Sequence, residues 1–86
     1  MKITLDDRFV KRFKKLPRKI QDQFRKRRDL FIDNPFHPLL ENHPLHGEYT
    51  GYRSINIAGD YRVIYEPITS DLAFFIKIGT HSELYG

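Results

Sequence analysis

Cysteine is absent from the 86-residue sequence, which excludes disulfides and thiolate metal sites. No uninterrupted apolar run is long enough to span a bilayer, and no signal-peptide pattern opens the chain. A cytoplasmic protein with no membrane partner is the expectation. Internal repeats, low-complexity tracts and linkers are also missing, so one domain over residues 1–86 is predicted. No G-x-S-x-G elbow, P-loop or G-x-G-x-x-G occurs, which removes nucleotide-cofactor and common hydrolase readings. Aromatic and charged side chains are plentiful. Hydrophobic residues make up 40% of the chain and aromatics 14%, so seven Phe and five Tyr can build a core from few positions. A chain this small buries roughly 60–65% of its unfolded surface, and its stability margin is thin.

The net charge of +4 is unevenly spread. Residues 1–33 hold 12 Lys and Arg against 5 Asp, whereas residues 34–86 hold 3 against 6 Asp and Glu. The basic half is either a solvated helical face or a surface offered to a polyanion or an acidic protein.

Met1–Leu5 alternates, with Ile3 and Leu5 on one side, and predicts a short first strand. Asp6 suits an N-cap and Asp7 the first turn of a helix running to about Leu16, with Phe9, Phe13 and Leu16 on one stripe. Pro17 can end that helix and begin the next, which runs to about Asp33 and carries Ile20, Phe24 and Phe31. Asn34-Pro35 stops it, because the residue before a proline is pushed out of the helical region. Arg27 falls within this second stripe, where its methylene stem can cover core while the guanidinium reaches outward. Residues 34–48 read as loop, with one short turn near Leu39–Asn42. From Tyr49 the period changes to two. Tyr49–Ile57, Tyr61–Glu66 and Leu72–Ile78 read as strands, joined by turns at Ala58–Asp60 and Pro67–Asp71. Leu72, Phe74, Ile76 and Ile78 share one apolar face in that reading. The predicted fold is α+β in the order β-α-α-β-β-β, a two-helix hairpin packed on a small antiparallel sheet.

His43 and His46 are three apart, but Pro44 separates them and no further ligands accompany them. No metal and no cofactor is expected. Ser82, His81 and Asp60 make a poor triad, since adjacent Ser and His diverge in an extended chain. The hairpins give a more informative set. If the last strand runs back along the middle one, its end lies beside the Ala58–Asp60 turn. Asp60, Arg62, His81 and Tyr85 then share one end of the sheet, with Asn56 at the same end. Histidine titrates near neutrality and can act as acid or base. Arginine presents a fork matched to phosphate oxygens, and tyrosine can stack on a base. Together they suit metal-free RNA cleavage. The basic helices, with Arg25, Lys26 and Arg28 on the second, would add salt-dependent attraction to RNA. Each residue also has a structural reading: Arg62 could pair with Glu66, Tyr85 could dock apolar surface, and His81 could cap a chain end.

At these residues the chain resembles the RelE/ParE superfamily of bacterial type II toxins. The likeness is carried by GDYRVIY (Gly59–Tyr65), then an apolar strand and an ending in Gly-x-His and Leu-Tyr. HPLHGEYTGYR (His43–Arg53), the interval on to Tyr61, and GTHSELYG (Gly79–Gly86) are similar to the YafQ branch in residues and spacing. The resemblance implies a RelE-like fold and a ribosome-dependent endonuclease that cuts mRNA in the A site. It also implies silencing by a cognate antitoxin, with any DNA operator reached only through that complex. Carried over by position, His43, Asp60 and His81 keep the family's catalytic residue types, and Tyr85 stands where an aromatic is found. Asn56 takes the place of a second catalytic His and Tyr61 that of a Trp. Asparagine can bond phosphate but cannot shuttle a proton. Arg62 matches the arginine that RelE uses on this strand. The expected roles are His81 as general acid, Arg62 as transition-state stabiliser, and Asp60 or His43 as base. Tyr85 and Tyr61 would contact base or phosphate. A ParE-like gyrase poison and a catalytically weak, antitoxin-bound co-repressor are the alternatives.

Overall fold

The computed structural model describes all residues, Met1–Gly86. Strand β1 (Lys2–Leu5) leads into α1 (Asp7–Lys14) and α2 (Arg18–Asp33). A two-residue strand β2 (His43–Pro44) precedes β3 (Arg53–Ala58), β4 (Tyr61–Thr69), β5 (Leu72–Thr80) and a short α3 (His81–Tyr85). The Asp6 side chain caps α1 by accepting from the Arg8 N–H at 2.8 Å. Helix α1 stops at Lys14, one half-turn before the predicted end, and the next two amides make tight bonds back to Arg12 and Phe13. Gln21 of α2 covers the freed carbonyls, donating to Phe13 O and Leu16 O at 3.1 Å each. Pro17 sits at the N-cap of α2, just before its first helical residue. Arg27 behaves as a strut: its half-buried side chain reaches the Leu39 carbonyl and ties the Pro38–Leu40 turn to α2.

The sheet has the order β1-β5-β4-β3-β2. Strands β3 to β5 pair antiparallel as predicted, β2 forms an antiparallel edge in a stretch read as loop, and β1 runs parallel to β5. No hairpin joins β1 to β5, and the helical hairpin after β1 carries the chain over one face of the sheet to β2 at the opposite edge. The sheet is therefore mixed, and the architecture is α+β. Residues 49–52 leave the strand that alternation predicts, because Gly47 and Gly51 adopt positive φ (67° and 94°) and turn the chain.

The helices cover one sheet face. Phe9, Phe24, Phe31, Leu40, Ile55, Ile57, Val63, Tyr65 and Phe75 are central to a continuous buried cluster. Phe31 stacks edge-on against Tyr65 and Phe75, with ring centroids 5.1 and 5.3 Å away. The buried Tyr65 hydroxyl is satisfied by Asn42 Nδ2 at 2.8 Å, which anchors the loop before β2. Phe31→Ala is expected to cost roughly 3–5 kcal/mol, a large share of so small a protein's stability. Urea unfolding of the variant checks this.

One face differs from the sequence reading. Leu72, Phe74, Ile76 and Ile78 alternate without interruption, yet it is Ala73, Phe75 and Ile78 that join the core. The register shifts between Ile64↔Lys77 and Tyr65↔Phe75, leaving Ile76 as an unpaired extra residue. Such a bulge reverses the facing of everything beyond it. Its consequence is that Lys77 stands on the opposite, open face. No helix is long and apolar enough to cross a membrane.

Candidate active site

The open face is organised by the β4–β5 register. Tyr61 pairs with Thr80 and Arg62 with Gly79, which lays the end of β5 beside the β3–β4 turn. That turn has two residues, Gly59 and Asp60, with Gly59 at φ 50° in the conformation glycine tolerates. The His81 N–H donates to Asp60 O at 3.0 Å, so the turn and the start of α3 are stitched together.

Arg62 lies opposite Asn56 on β3. Its Nη1 donates to Gly59 O at 2.8 Å, Tyr61 O at 3.1 Å and Asn56 Oδ1 at 3.3 Å. The pairing with Glu66 does not form, since residues four apart on a strand lie about 13 Å apart, and no carboxylate neutralises Arg62. A fixed guanidinium with unspent positive charge results.

Helix α3 begins directly at His81, where a strand-like tail would have pointed the side chain elsewhere. Thr80 and Glu83 form a capping box: Thr80 Oγ1 accepts from the Glu83 N–H at 3.3 Å, and Glu83 Oε1 accepts from the Thr80 N–H at 2.8 Å. The helical spacing brings His81 and Tyr85 rings to 4.8 Å between centroids. From Tyr85 the row continues to Tyr49 at 5.9 Å and on to Tyr52 at 6.2 Å. Lys77 Nζ donates to the Tyr49 hydroxyl at 2.8 Å.

Hydrogen bonds from the Thr80 backbone and hydroxyl, then the Arg12 guanidinium, hold the Glu83 carboxyl below its ordinary pKa, outweighing desolvation. A lowered folded pKa means that the cap contributes fully above the unfolded value and is lost as pH falls through the folded one. Helix α3 should stay capped at neutral pH and loosen only in acid. An NMR titration of the Glu83 carboxyl, with the Thr80 amide as reporter, should give a midpoint below the usual glutamate range; a midpoint at or above it contradicts this.

His43 lies on β2 opposite Ser54, on the same side of the sheet as Asn56 one diagonal step away, about 7–8 Å. Its Nδ1 faces Glu41 O at 2.8 Å. A carbonyl can only accept, so Nδ1 carries the proton and Nε2 keeps its lone pair in neutral His43. Asp60 is exposed at the turn. The structure thus brings Asn56, Asp60, Arg62, His81 and Tyr85 to one end of the open face, with His43 at its margin. Tyr61 is half-buried and packs against the core on the helix side. Arg25, Lys26 and Arg28 belong to α2, behind the sheet; Arg25 pairs with Asp22 and Arg28 with Asp29. No cluster of three or more His, Asp or Glu side chains is positioned to hold a metal ion. A groove of about 590 Å³ between α1, β5 and α3 adjoins the open face and shares Lys77 and Tyr52 with it.

Two neighbours of the site, Lys77 and Tyr49, escape a reading by alternation. Lys77 needs the bulge to reach this face, and Tyr49 needs the glycine-turned loop. Only the density of tyrosines between positions 49 and 52 hints at them.

Comparison with known proteins follows the same lines. The family described as bacterial toxin of type II toxin-antitoxin system, YafQ, matches residues 1–86. The mRNA interferase toxin YafQ of Escherichia coli (strain K12) is 37% identical over 59 residues, 66% of this chain, and the match spans 63% of that relative's length. The crystal structure of YafQ from E. coli strain BL21(DE3) superimposes with a TM-score of 0.80 at 27% identity, covering 98% of this chain and 97% of that one. YafQ in the E. coli DinJ-YafQ toxin-antitoxin complex does so at 0.77, again at 27% identity, over 98% and 96% of the two chains.

Proposed function

Because this chain belongs to the YafQ family of bacterial type II toxins, we propose that it is a ribosome-dependent mRNA endonuclease acting in the cytoplasm and held inactive by a cognate antitoxin. The observation that carries this reading is an arginine without a carboxylate partner, locked beside Asn56, with His81 stitched to the adjacent turn. In-line attack by a ribose 2′-oxygen on phosphorus needs a base for its proton, charge on the phosphoryl oxygens and an acid for the departing 5′-oxygen. His43 Nε2 is the better-prepared base, with Asp60 as the other candidate. Arg62 faces the phosphoryl oxygens, and Asn56 can add a hydrogen bond there without moving a proton. His81 protonates the leaving 5′-oxygen, so the products are a 2′,3′-cyclic phosphate and a 5′-hydroxyl. Tyr85, against His81, is placed to stack on a splayed base. Tyr61 supports the turn from behind, and Arg25, Lys26 and Arg28 attract more distant RNA backbone.

The antitoxin reading is supported by the DinJ-YafQ complex, whose toxin shares this fold. Through that partner alone would the chain reach an operator. Primer-extension mapping of transcripts after induction tests the activity. In-frame cuts within translated regions are expected; intact transcripts accompanied by DNA breaks would point to gyrase instead.

A further inference from the structure

We propose that Arg12, Gly79 and Glu83 form a positioning device that sets His81 and Tyr85 at the working angle, a role that rests on the endonuclease reading of the same site. Helix α3 has five residues and buries none of them. So short a helix cannot hold itself in water. Its placement depends on what it is tied to.

Four ties exist. The Thr80–Glu83 capping box fixes the first turn, and the His81 N–H bond to Asp60 O fixes the entry of the chain. The Tyr49 hydroxyl makes a long contact, 3.4 Å, with Leu84 O. All three join α3 to the sheet or its loops, as does the Tyr49–Tyr85 ring contact at 5.9 Å. The fourth is the ion pair between Arg12 of α1 and Glu83, which bridges positions 71 residues apart in sequence. It is the one hydrogen bond or ion pair between α3 and the helix layer, and it restrains α3 from that side.

Glycine at position 79 leaves room for this geometry. A Cβ there would lie 3.3 Å from Glu83 Oε1, closer than ordinary contact, and 3.4 Å from Glu83 Cβ, so Glu83 would have to shift slightly. Glu83 therefore lies down on β5, where one carboxylate oxygen reaches the Thr80 amide and the other reaches Arg12. Both partners of the ion pair are close to half exposed, 42% and 45%. Pairs of that kind add little to global stability. Restraint of α3 is the effect left for it to have, and an ångström of misplacement at a reacting group can cost on the order of 100-fold in rate.

Glu83→Gln separates the ties, because its amide oxygen can still accept the Thr80 N–H while the charge for Arg12 is lost. Arg12→Gln removes the same pair from the other side. Each variant, assayed on mRNA-programmed ribosomes, should lose roughly 10-fold or more in kcat with KM and melting temperature nearly unchanged. The double variant should be no worse than either single one, and Arg12→Lys should recover most of the rate. Amide hydrogen exchange within residues 81–86 should accelerate in both Gln variants, a readout that needs no activity. Unchanged kcat in both variants overturns the proposal, whether or not exchange accelerates. If the wild-type protein cuts no mRNA, the endonuclease reading fails; unchanged exchange would then overturn the tether as well, while faster exchange would retain it as a structural restraint.

Discussion

Replacing His81 by alanine is expected to lower mRNA cleavage by roughly 10²–10⁴-fold and to abolish growth arrest, while the protein still folds. The ring is exposed and belongs to a helix that buries no residue, so its removal leaves the core intact. The backbone N–H that bonds Asp60 is retained in the variant. What disappears is a group able to hand a proton to the departing 5′-oxygen near neutral pH. The effect should lie toward the upper end of the range, because Asn56 offers no second titrating group in the centre of the site. His81→Gln, which keeps hydrogen bonding without proton transfer, should be nearly as slow. Circular dichroism and a thermal melt establish that the variants fold. Full toxicity in a folded His81→Ala protein would remove His81 from the mechanism.

Arg62→Ala is expected to reduce cleavage by about 10²–10³-fold, the usual consequence of removing a donor aimed at developing negative charge. Arg62 is held by two backbone carbonyls and Asn56, so its charge is already oriented before RNA arrives. Arg62→Lys should restore only part of the rate, since an ammonium offers a point charge in place of a planar fork. The stability cost should be about 1 kcal/mol, because Gly59 O lies at the exposed turn and the Tyr61 O bond is only part-buried. Single-turnover cleavage separates this from RNA binding: the chemical step should slow while the half-saturating concentration changes little. An Arg62→Ala enzyme of wild-type rate contradicts the assignment.

The hairpins were readable because two-residue alternation and the Gly59-Asp60 turn agree, and they suffice to place Asp60, Arg62 and His81 together. Helix stripes identify Phe9, Phe24 and Phe31 as core for the same reason. The bulge at Ile76 was not readable. An unbroken apolar alternation from Leu72 to Ile78 carries no mark of an extra residue, and its facing is decided by β4 across the ladder. Lys77 was lost with it. Parallel pairing of β1 was hidden because no local connection dictates it. Helix α3 did leave a signature, since Thr80 and Glu83 have the spacing of a capping box, but five residues are too few for a periodic signal. The short strand β2, which fixes His43 relative to Ser54, depends wholly on β3 as a template.

Purified protein, mixed with ribosomes carrying a defined codon in the A site, gives the most direct test through the chemistry of the cut 3′ end. The account predicts cleavage only on the ribosome, a 2′,3′-cyclic phosphate upstream of the cut and a 5′-hydroxyl downstream. Loss of both products in the folded His81→Ala protein is part of the same expectation. A 3′-hydroxyl with a 5′-phosphate would contradict it, since attack would then come from water and not from the ribose.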